Sequence, residues 1–144
     1  MVGSAYQFWQ YLKPHISVVK DCGSGTDCYN VNGIYLLNGN YKSNPNTDNR
    51  AYKFILSDGG VMYFATYNGK CTYKTANFNT NACASFIYDI NGDNKPNTYG
   101  KDIFAYVMTV DGVYPNAIDD CYKDNDGFGC AAYIIKHGNM NYLH

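Results

Sequence analysis

Residues 89 to 102 read "DINGDNKPNTYGKD", which packs Asp89, Asn91, Asp93, Asn94, Asn97 and Asp102 around two glycines and a proline. Three kinds of chemistry suit such a stretch: a metal-binding loop, a catalytic carboxylate cluster, or a turn whose Asx side chains bond their own backbone. Asp89, Asn91 and Asp93 alternate, so their oxygens come within reach of one point where Gly92 allows a tight bend. The backbone carbonyl of Lys95 and the carboxylate of Asp102, returned by the turn from Pro96 to Gly100, complete a candidate oxygen cage. Calcium takes six to eight such oxygens, and a structural Ca2+ is the cofactor expected of this loop. Gly92 falls two residues earlier than the glycine of an EF-hand, so the Asx-rich turn stays open beside calcium. Asp120, Asp124 and Asp126 form a second, smaller acidic set.

Catalysis is the weaker expectation. A carboxylate acid/base pair needs one member raised in pKa by apolar burial, and these aspartates lie among Asn, Gly and Lys. The segment "CGSGTDC" places Ser24 inside a short cysteine loop with no helix after it, unlike a nucleophile elbow. No phosphate loop, H-E-x-x-H or dinucleotide fingerprint occurs. His15, His137 and His144 show no metal-ligand spacing.

The elements that must position these residues follow from composition. All twelve acidic residues are Asp, and ten of the eleven basic residues are Lys. Asn and Gly favour turns and Tyr favours strands, so the chain should be mostly sheet and loop. The formal charge of -1 gives no electrostatic case for nucleic acid or an anionic membrane. At 144 residues a single domain is expected over 1–144. The opening "MVGSA", residues 1–5, has no apolar core and reads as an expression scar.

Six cysteines, Cys22, Cys28, Cys71, Cys83, Cys121 and Cys130, point to disulfides and an oxidising compartment. Fifteen connectivities are open to six cysteines. The spacing favours three local pairs, Cys22–Cys28, Cys71–Cys83 and Cys121–Cys130.

Phe8, Leu12, Ile16 and Val19 recur at helical spacing, so an amphipathic helix is expected over 5–21, kinked at Pro14. Strands are expected at Tyr52 to Ser57 and Val61 to Tyr67, joined by Asp58-Gly59-Gly60, then at Ala84 to Ile90 and Ile103 to Val110. Asn68-Gly69 and Asp111-Gly112 mark further turns, and Ala131 to Lys136 is a last candidate strand. The expected fold is α+β: an N-terminal helix on an antiparallel sheet of four or five strands within 51–136.

The ordered set "FWQYL", "YKFILSDGGVMYF", "DINGDNKPNTYGKDIFAYVM", "VYPN" and "CAAYIIKHGNMNY" resembles the globular part of type IV pilin-like proteins, including type II secretion pseudopilins. The likeness runs from about Tyr6 to Tyr142. It implies a long N-terminal helix whose second half packs on the sheet, residues 5–21 being its remnant. It also implies an apolar first half, absent from this stretch, that anchors the precursor in the inner membrane and later packs against other pilin-like subunits. The resemblance implies export and a periplasmic or cell-surface filament used for secretion, adhesion or motility. Other expectations are a secreted Tyr-rich adhesion or glycan-binding module, in which Tyr41 is the better contact residue, and a small extracellular hydrolase using aspartates.

Overall fold

Pro14 decides the first element. It has no N–H to give a helix and its ring clashes with the preceding turn, and the chain makes only a 3-10 turn at Lys13–His15. Ile16, Ser17, Val18 and Val19 follow, and the β-branched residues among them favour extended backbone. In the computed structural model, which describes residues 10, 13–24, 28–47, 51–66, 71–74 and 81–144, Val18–Gly23 is strand β1. The expected helix over 5–21 is therefore corrected from residue 13 onward; of its start only Gln10 is described, and it is helical, while Phe8 and Leu12 lie outside the described residues.

The other strands are β2 (Ile34–Tyr35), β3 (Tyr41–Ser43), β4 (Tyr52–Leu56), β5 (Val61–Thr66), β6 (Ala82–Asp89), β7 (Ile103–Thr109) and β8 (Gly112–Pro115). Six of them form one antiparallel sheet in the order β1-β4-β5-β6-β7-β8, and β2 pairs with β3 separately. The expected sheet of four or five strands gains β1 and β8 at its edges. A second correction concerns the C-terminal end: the expected strand at 131–136 is helix α1, Cys130–His137. Its last turn ends on Gly138 in the left-handed conformation, whose N–H closes onto the Ile134 carbonyl. The fold is thus mostly antiparallel sheet with one short C-terminal helix among the described residues. No helix among them is long and apolar enough to cross a membrane.

The pleat sends alternate side chains to opposite faces, and both faces are apolar. Phe54, Phe64 and Phe86 pack on one. Val61, Tyr63, Ile103 and Ala105 pack on the other, where Tyr29, Val31, Ile34 and Tyr99 cover them. The 29–34 segment, with Tyr99 from the β6–β7 connection, therefore covers the second face. Disulfides pin its surroundings. Cys22 pairs with Cys28, Cys71 with Cys83 and Cys121 with Cys130, the three local pairs that the spacing favours.

Candidate functional site

The acidic segment connects the end of β6 to the start of β7, and the sheet register fixes its two ends. Asp89 pairs with Ile103 across that register, and the Ile90 N–H donates to the Asp102 carbonyl at 2.9 Å. Asp89 and Asp102 are thereby brought beside each other, 0% and 3% exposed. Gly92 is obligatory. Its φ is +63°, and a Cβ there would stand 2.6 Å from the Gly59 carbonyl oxygen.

Burying two carboxylates is costly unless donors meet them, and donors converge from three directions. Asp102 accepts from the N–H groups of Thr98, at 2.7 Å, and Asn97, at 2.8 Å. Asp89 accepts from the Asn91 N–H at 3.2 Å and from the Tyr29 hydroxyl. With its nitrogen facing inward, the Asn91 amide donates to Asp89 Oδ1 at 2.8 Å, Asp102 Oδ2 at 3.0 Å and the Asn94 carbonyl at 3.2 Å. Turned the other way, the nitrogen reaches the Lys95 carbonyl at 3.3 Å and its oxygen faces only acceptors. The network selects the first orientation. One neutral amide thus bridges two carboxylates, the task a cation would otherwise perform.

The electrostatics follow. Burial pushes the Asp89 carboxyl up to about 6, against the pull of the Tyr29 hydrogen bond, and the Asp102 charge adds to the rise. Burial, then the bond to Asp89, raises the Tyr29 phenol far above its ordinary value, so it stays a neutral donor.

The expected ligand set is only partly assembled. Asp89, Asn91 and Asp102 come together. Asp93 turns outward, where its Oδ1 accepts from the Asn30 N–H at 2.8 Å. Among the described residues no three His, Cys, Asp or Glu side chains stand close enough to hold a metal ion. The second acidic set is dispersed. Asp120 accepts from the N–H groups of Gly129, at 2.7 Å, and Phe128, at 3.0 Å, and burial pushes its carboxyl up. Asp126 accepts from the Asn38 amide at 3.4 Å, and Asp124 is exposed.

The network has a second consequence. By holding the Asn97 and Thr98 N–H groups, Asp102 fixes the turn at 93–97, with Asn97 itself in the left-handed region at φ 52°. That turn faces the 30–35 segment. The Tyr35 N–H donates to the Asn97 carbonyl, and the Tyr99 N–H to the Tyr35 carbonyl, both at 2.9 Å. Between the two segments lies a cleft of about 310 Å³ lined by Asn30, Asn32, Tyr35, Asp93, Lys95 and Asn97, among others. Sequence reasoning singled out Asp93 and Lys95 but neither Tyr29, Asn30, Asn32 nor Tyr35. Their spacing, Tyr-Asn-x-Asn-x-x-Tyr in "YNVNGIY", reads only as a polar loop. Comparison with known proteins adds no family: no family model, curated protein or solved structure matches this chain. The likeness to pilin-like proteins rests on the quoted motifs alone, and the sheet-packed helix it implies is replaced from Lys13 onward by a 3-10 turn and β1.

Proposed function

We propose that this chain is an exported, non-enzymatic structural subunit of a bacterial envelope or surface filament, a pilin or pseudopilin. The observation that carries the reading is how the buried acids are used. Burial raises the Asp89 carboxyl as a catalytic acid would require, but Asp89 and Asp102 are both buried and are committed to closing a loop through Tyr29, Asn91 and backbone N–H groups. A subunit meant to be packed and to endure outside the cell gains from such closure, and from three short disulfide loops. Its partners in this reading are other pilin-like subunits, and its route is export through an inner-membrane precursor.

The loop's role in this reading is structural. The Asn91 amide and a calcium ion are the competing bridges between Asp89 and Asp102, and Asn91 already meets three acceptors. The reading is tested by the gene. Its start should encode a short basic leader and about 20 consecutive apolar residues ahead of this domain. An ordinary cleaved signal peptide joined directly to the domain would overturn it in favour of a secreted module.

A further inference from the structure

We propose that the cleft between the 30–35 segment and the 93–97 turn binds a saccharide, with a sugar face on the Tyr35 ring and sugar hydroxyls on the surrounding amides. The chemistry of the lining carries this first. Asn30, Asn32 and Asn97 offer amides that both donate and accept, which suits hydroxyls that do the same. Asp93 and Lys95 contribute one charge of each sign, so the cleft favours a neutral polyhydroxyl ligand over an anion or a cation. Tyr35 is 40% exposed, an apolar ring with a polar tip on which the C–H face of a sugar can lie. Tyr41 meets it edge-on with ring centroids 5.9 Å apart. At 59% exposure, Tyr41 extends the aromatic surface beyond the cleft.

A second observation is independent of the lining's composition. Asn97 is 7% exposed, and its side-chain oxygen is buried with no donor among the described residues. Buried acceptors nearly always have partners. Asn97 lines the cleft, and its oxygen, sealed from solvent in this conformation, meets a sugar hydroxyl as donor once the amide turns toward that space.

The walls are also fixed in advance. Asp102 holds the Asn97 and Thr98 N–H groups, and Asp93 ties the turn to the Asn30 N–H across the cleft. A site whose walls are already ordered loses little on binding. A cleft of about 310 Å³ lies at the small end of ligand pockets, roughly 300–1,000 Å³, a size for one or two sugar rings. The inference needs no filament, so it stands or falls apart from the assembly reading.

The test is saturation-transfer NMR on the whole chain with the methyl glycosides of glucose, galactose, mannose and N-acetylglucosamine, and with chitotriose. Each is offered at about 10 mM, tenfold above a Kd of about 1 mM. At least one should receive saturation and shift the Tyr35 ring and the Asn97 amide signals. Tyr35→Ala, Asn32→Ala and Asn97→Gly, the last preserving the left-handed backbone, should each weaken it by about tenfold or more while melting as the parent does. Tyr122→Ala, at an exposed tyrosine in the Cys121–Cys130 loop, should leave it unchanged. No transfer to any of the five sugars, or binding that survives Tyr35→Ala, would overturn the proposal.

Discussion

Replacing Asp89 by asparagine removes a buried charge while keeping the shape that the loop closes on. The asparagine oxygen can still accept from the Asn91 N–H, and its amide can donate to Tyr29, whose hydroxyl rotates to accept. What disappears is the titration. In the folded chain the Asp89 carboxyl has a pKa of about 6, against roughly 3.9 when unfolded. The native state therefore binds the extra proton between these values, and stability falls as pH rises through that window. At 1.36 kcal/mol per unit, the loss between about pH 4 and pH 7 is about 3 kcal/mol, and it is complete above the folded pKa. Asp58 works in the opposite sense: the bond from Tyr88 lowers its carboxyl, so its contribution is lost in acid. The difference between parent and Asp89→Asn cancels Asp58 and isolates Asp89. Urea unfolding from about pH 4 to pH 8, with disulfides intact, should show that difference moving by about 3 kcal/mol against the parent as pH rises. A flat difference would refute the burial argument. A slope of opposite sign, in about 5 mM calcium but not in chelator, would show a cation holding Asp89 ionised, at the strength of extracellular calcium sites.

Asn91→Ala should leave Asp89 and Asp102 without the amide that bridges them, costing about 1–3 kcal/mol in denaturant at neutral pH, and an unchanged midpoint would mean that the bridge is not made. Cys121→Ser with Cys130→Ser opens a loop of sequence separation 9, and chemical denaturation should show a loss of about 2–3 kcal/mol. The far-ultraviolet signal of Cys130–His137 should fade first, because Cys130 both starts the helix and lies in the core beneath it.

Much of the sheet was legible in the residues, and the reasons for the exceptions are physical. The turn at Asp58-Gly59-Gly60 could be read because Gly59 sits at φ +86°, where side chains are disfavoured. Strands β5, β6 and β7 announce themselves by apolar and aromatic runs between turns. The disulfide pairs were legible because each closes a short loop. Residues 13–21 were not. Ile16 and Val19 fit a helical period, yet Val18 and Val19 are good strand formers, and pairing of β1 with β4 outweighs the period. The run 131–136 is too short for periodicity to separate strand from helix. Gly129 decides the approach to it, since a Cβ there would lie 1.7 Å from the Ile118 carbonyl oxygen. At the site, the turn from Asp89 to Asp102 was recognisable as a surface connection. That Asp89 meets Tyr29, 60 residues earlier, was not, because nothing local in "CYNVNG" specifies a partner so distant.

Cell fractionation puts the structural-subunit reading to its most direct test. Antibody raised against the folded domain should detect this chain in filaments sheared from the surface of the source cells and label them under the electron microscope. It should also detect a membrane-bound precursor in the envelope fraction. Recovery of the chain solely as a free monomer in the medium, with sheared filaments unlabelled, would contradict a filament subunit.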